Sequence, residues 1–154
     1  MKILRRVIPV LLTFAICGTA FAGVAEKKAY DKITKGLDDK APEVKKQCQN
    51  ASMEMSVDRD AKFKAPQIRI AGTNILVDFF AGLKQVCSDK DYRAEVKKLT
   101  RITFALTDKP IKGTPKGIFK LKDGKKTLHV VVHVSSSLSN GISTSVAKGI
   151  KKLY

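Results

Sequence analysis

Seven lysines fall between positions 109 and 126: Lys109, Lys112, Lys116, Lys120, Lys122, Lys125 and Lys126. Ammonium groups at that density attract phosphates and anionic head groups. The cluster is lysine rather than arginine, and it offers no exposed aromatic rings for bases to stack on. Specific nucleic-acid reading is therefore not expected. The competing reading is an edge hairpin whose lysines only block strand-to-strand association.

Other chemistry-bearing residues lead nowhere as strong. His129 and His133 are the two histidines. Four apart on a strand, they share a side but stand about 13 Å apart at roughly 3.3 Å per residue, too far to chelate one metal as a pair. Met53 and Met55 read as core packing, not as a copper pair. Ser135, Ser136 and Ser137 form a polar run without a GxSxG elbow. The stretch from Gly113 to Gly117 lacks Walker spacing. No catalytic constellation emerges, and the chain is read as a non-enzymatic protein without metal or cofactor.

Compartment and partners follow from the ends and the charge. Lys2, Arg5 and Arg6 precede an apolar run from Val7 to Cys17, and Ala20-Phe21-Ala22 fits a signal-peptidase site. Residues 1–22 are thus expected to be a cleaved secretory signal, leaving a periplasmic or secreted domain over 23–154. Ile16 before Cys17 fits lipoprotein processing poorly. No second run is long enough to span a bilayer. Cys48 and Cys87 then form an even pair, expected to join as a disulfide in an oxidising compartment.

The net charge of the whole chain is +16. It is unevenly spread: residues 23–96 hold 14 Lys/Arg against 12 Asp/Glu, and residues 97–154 hold 13 Lys/Arg against Asp108 and Asp123 alone.

The elements that must position these groups can be read from periodicity. Ala25, Ala29, Ile33, Leu37, Ala41, Val44 and Cys48 form one helical stripe, with Pro42 expected to break or kink it near Lys40. Residues 53–58 alternate as a strand. Residues 59–71 read as a polar connector. A strongly apolar helix is expected over 72–88 and a short one over 89–98. Ile102, Phe104 and Leu106 mark a strand. Asp123-Gly124 predicts a two-residue type I′ hairpin pairing Lys122 with Lys125. The last helix spans 140–153.

The expected fold is an α+β domain: 23–98 mainly helical, 99–134 mainly strands, then the C-terminal helix. An antiparallel sheet of three to four strands would carry helices on one face in two layers. The expected function is a binding or accessory role toward an anionic lipid, lipopolysaccharide or cell-wall polymer. The alternative is a protein-interaction module, such as an inhibitor or envelope-assembly factor, working through a strand edge.

Overall fold

A computed structural model describes residues 16–111, 117–134 and 142–154, with side chains described from residue 23 onward and from residue 144 in the last segment. Helix α1 (Ile16–Gln47) leads to strand β1 (Glu54–Val57). Helix α2 (Ala65–Thr73), a π-helical segment (Asn74–Phe79) and helix α3 (Phe80–Ser88) follow as one continuous run. Helix α4 (Lys90–Val96), strands β2 (Arg101–Thr107), β3 (Gly117–Lys122) and β4 (Thr127–His133), and helix α5 (Ile142–Lys151) complete the chain.

The domain is α+β, but its sheet is mixed where an antiparallel one was expected. The strand order is β1-β2-β4-β3. β1 pairs parallel with β2, and β2 pairs parallel with β4, while only β3 and β4 are antiparallel. Two connections cause this. The helical passage over 65–96 carries the chain back before β2 begins, which is the requirement for a parallel pair. The connection from β2 to β3 then skips a position, and β4 fills it. Burial favours that arrangement. Leu128, Val130 and Val132 of β4 and Ile102, Phe104 and Leu106 of β2 are buried, whereas Lys120 and Lys122 of β3 are exposed. The apolar strands take the centre and the lysine-bearing strand takes an edge.

Four other expectations need correction. Helix α1 runs unbroken through Pro42. Its stripe of Ile33, Leu37 and Val44 is buried on both sides of the proline, so core packing outweighs the lost backbone hydrogen bond. Residues 65–71, expected within a connector, are helical. Pro66 sits in the first turn of α2, where its missing N–H costs nothing, and Ile68 is buried. Helix α4 is shorter than the expected 89–98, running Lys90–Val96, and is capped by Asp89, whose carboxylate accepts from the Asp91 N–H at 3.2 Å.

The fourth is the hairpin. Lys122 pairs with Thr127, not Lys125, so four residues form the turn. Asp123, Gly124 and Lys125 are all left-handed, with φ of 53°, 63° and 68°. The Lys126 carbonyl anchors this turn by accepting from the Thr100 N–H at 2.8 Å and the Arg101 N–H at 3.3 Å. The slip is two residues, so every side chain keeps its expected face.

The core joins these parts. Phe79 meets Phe104 edge-on at 4.8 Å between ring centroids. A Cβ at Gly72 would lie 2.7 Å from Ile33 Cγ1, so glycine is what lets α2 approach α1 so closely. The expected disulfide between Cys48 and Cys87 is present, with Cα atoms 4.9 Å apart, and joins the end of α1 to the end of α3.

The π-helical segment holds two buried oxygens without a hydrogen-bond partner, Asn74 Oδ1 and Asp78 Oδ2. Burial raises the Asp78 carboxyl above the ordinary carboxylate range. A carboxyl raised on folding binds protons more readily in the native state. Its contribution is therefore best below the unfolded value and is lost as pH rises through the folded one. Asp78→Asn removes that loss. The variant is expected to melt above the parent at neutral pH, with the gap shrinking toward pH ~4. Thermal melts across that range check it; a gap that does not change with pH would count against a buried charge as the cause.

Candidate functional site

Strand register decides which polar groups meet. On the face opposite the buried residues, one row across the sheet reads Glu54, Arg101, Thr127, Lys122. The next row on that face reads Ser56, Thr103, His129, Lys120. Neighbouring strands lie about 4.8 Å apart, so adjacent members of a row are in side-chain reach.

Lys120, Lys122, Lys125 and Lys126 are all exposed, two on β3 and two in the turn. Among the described residues none of the four has an ion-pair partner, although other lysines, such as Lys84 with Glu43 and Lys151 with Asp89, do. Arg101 joins them across Thr127, with its guanidinium 3.3 Å from Glu54. The hairpin end of the sheet therefore gathers five cations against Glu54 and Asp123. Lys109 follows the far end of β2, roughly 20 Å from the turn at ~3.3 Å per strand residue. It does not share this corner. Lys112 and Lys116 lie outside the described residues, as do the stretch from Gly113 to Lys116 and Ser135, Ser136 and Ser137.

The histidines separate in environment. His133 Nε2 lies 3.2 Å from the Asp108 carbonyl oxygen. His129 Nδ1 lies 2.9 Å from Thr103 Oγ1. Burial holds the His129 imidazole below its ordinary value; Lys122 and Lys120 push the same way and Asp58 opposes them. A nucleophile–base pair needs a third group to orient the base. No carboxylate among the described residues is hydrogen-bonded to His129. Among the described residues, no three His, Cys, Asp or Glu side chains gather to hold a metal ion.

Sequence reasoning found the four lysines, and its hairpin already put His129 on the face of Lys120 and Lys122, but it missed Arg101 and Thr103 beside them. The signal for both is the pairing of β2 with β4, which no local pattern encodes. A second feature lies at the opposite edge. A groove of about 470 Å³ runs beside β1, lined by Leu37, Asp38, Ala41, Lys45 and Met55 among others. Its mixed charges favour no one ion. Among the described residues, no helix is long and apolar enough to cross a membrane. Comparison with known proteins returns no matching family model, no matching curated protein and no matching solved structure.

Proposed function

We propose that this chain is an exported, small, basic binding protein that attaches to an anionic lipid surface of the cell envelope through its hairpin end. The observation that carries the reading is the group Lys120, Lys122, Lys125 and Lys126: four exposed ammonium groups on one strand and its turn, without an ion-pair partner among the described residues. Exposed lysines lose little solvation on meeting phosphate head groups, and their attractions add. The helices cover the other face in this reading, in two layers, which leaves the lysine face open to a flat surface. Lipopolysaccharide and acidic cell-wall polymers carry the same anionic chemistry and serve as comparison ligands. The protein has no enzymatic role in this account.

The test is sedimentation with vesicles of neutral lipid alone or with anionic lipid, at low and high salt, beside the Lys120→Gln, Lys122→Gln, Lys125→Gln, Lys126→Gln variant. Binding that needs anionic lipid, weakens with salt and is lost in the variant supports the proposal. Equal binding by the variant refutes it.

Export is part of the same proposal. Support comes from the basic, apolar and small-residue order of residues 1–22 and from a buried disulfide, which suits an oxidising compartment. The envelope-fraction protein is expected to begin at Gly23, as N-terminal sequencing would show; a chain beginning at Met1 would contradict it.

One observation favours a second reading, a protein-interaction module. The Glu54 and Asp58 N–H groups bond inward to Thr100 and Phe104 carbonyls at 3.0 and 2.7 Å. Strand alternation then turns the Met55 and Val57 N–H groups outward at the open edge beside the groove, as β-strand addition requires. Partner capture that survives the lysine substitutions would favour this reading.

A further inference from the structure

The lysine face is not uniform: His129 sits within it, tied to a hydroxyl, with Lys120 directly opposite on β3 and Lys122 on the diagonal. Resting on the reading of this face as an anion site, we infer that His129, Lys120 and Lys122 form a subsite for a phosphomonoester, with Thr103 holding the imidazole in place.

The chemistry of the row supports that ligand class. A phosphomonoester carries three terminal oxygens and a second ionisation near pH ~6. Three donors are available: His129 Nε2 and the two ammonium groups. Lys120 and His129 are register partners, with Cβ atoms about 5 Å apart, and the diagonal to Lys122 is about 7 Å. Lysine side chains span such distances to a single phosphate. A phosphodiester has two terminal oxygens and a single negative charge, so it offers the three donors fewer acceptor atoms and less charge.

Thr103 makes the imidazole usable in both protonation states. Its hydroxyl donates to Nδ1 of the neutral ring and accepts from Nδ1–H of the imidazolium. In both of these states Nε2 bears a hydrogen and, with no hydrogen-bond partner among the described residues, is available for a ligand oxygen. The charged groups acting on the ring are Lys120 and Lys122 of β3 and Asp58 beyond β1, and β2 contributes Thr103. The two lysines disfavour the imidazolium in the free protein. A bound dianion reverses that field. The bound ligand therefore raises the His129 midpoint, and by reciprocity the imidazolium holds the dianion more tightly than the neutral ring does, while protonation of the ligand itself near pH ~6 acts against binding at lower pH.

The experiment uses the two histidines as internal probes. Their ring signals are followed by NMR against pH in the disulfide-bonded protein, alone and with glycerol 3-phosphate or dimethyl phosphate. The monoester is expected to raise the His129 midpoint through a coupling factor of roughly 10, and the diester to raise it much less. His133, at the other end of β4, should respond to neither. Lys120→Gln should abolish the response. Thr103→Val should shrink it while leaving salt-sensitive vesicle binding intact, which separates a positioning role from a general loss of charge. A His129 midpoint that ignores the monoester, or that moves equally with His133, overturns the inference.

Repeating the titration with phosphatidic acid vesicles distinguishes a lipid head group from a free solute as the source. His129→Gln should keep salt-sensitive binding to phosphodiester lipid. Loss of all vesicle binding by the wild type, with the glycerol 3-phosphate response intact, would overturn the membrane proposal and leave the subsite standing.

Discussion

The Lys120→Gln, Lys122→Gln, Lys125→Gln, Lys126→Gln variant is expected to bind anionic vesicles about 10²- to 10³-fold more weakly than the wild type. A lysine close to an anionic membrane contributes about 1 kcal/mol, and about 1.4 kcal/mol is tenfold in affinity. Four such groups set the upper end; exposure and competition from counterions set the lower. Salt should act in the same direction on the wild type. The screening length falls from about 10 Å at 0.1 M to about 3 Å at 1 M, shorter than the reach of the lysine-bearing face. Wild-type affinity should therefore fall steeply with salt, and the variant's should be nearly flat.

The four substitutions should leave the melting temperature close to that of the parent. All four side chains are exposed, and among the described residues none is in an ion pair that the fold could lose. Exposed changes of this kind usually move stability by less than about 0.5 kcal/mol each. Weaker binding with an unchanged melt assigns the effect to the surface; a large drop in the melt would point to a damaged turn. In that event the pair Lys120→Gln, Lys122→Gln leaves the left-handed turn untouched and repeats the test.

Breaking the disulfide is expected to lower stability by about 3–4 kcal/mol. The two cysteines are 39 residues apart in sequence, and closing a loop of that length restricts the unfolded chain by about this amount on the chain-entropy model. The native state should survive the loss, because other contacts hold the same two helix ends. Gln47 Nε2 donates to the Lys84 carbonyl at 2.9 Å and to Ser88 Oγ at 3.0 Å. Lys84 Nζ also meets Glu43 Oε1 at 2.5 Å across α1 and α3. The Cys48→Ala, Cys87→Ala double variant should thus fold to the same secondary structure but melt roughly 10–15 °C lower. Circular dichroism against temperature measures both. Both cysteines are buried, so reductant should act slowly on the wild type below its melting range. An unchanged melt would mean that the bridge constrains the unfolded chain far less than its span implies.

Local order was legible in the sequence because it rests on nearby residues. The stripe through Ile33, Leu37, Val44 and Cys48 marks α1 by period alone, and the alternation through Ile102, Phe104 and Leu106 marks β2. The pairing of Cys48 with Cys87 needed no more than counting in an expected oxidising compartment. Even the hairpin faces survived a misplaced turn, since a slip of two residues does not exchange the sides of a strand. Where a local rule competed with the core, the core prevailed. Pro42 lost to the buried stripe around it, and Pro66 turned out to open a helix instead of occupying a connector.

Strand order belongs to the tertiary structure. Whether β4 lies inside or outside β3 depends on which strand buries more against the helices, a sum over contacts distant in the chain. That choice brings Thr103 beside His129 and Arg101 beside Thr127, each pair 26 positions apart in the chain. The lysine cluster, the disulfide and the α+β character follow from residue type and spacing in the chain. The mixed sheet, and with it the polar row across that sheet, exists only once long-range pairing has placed β4 at the centre.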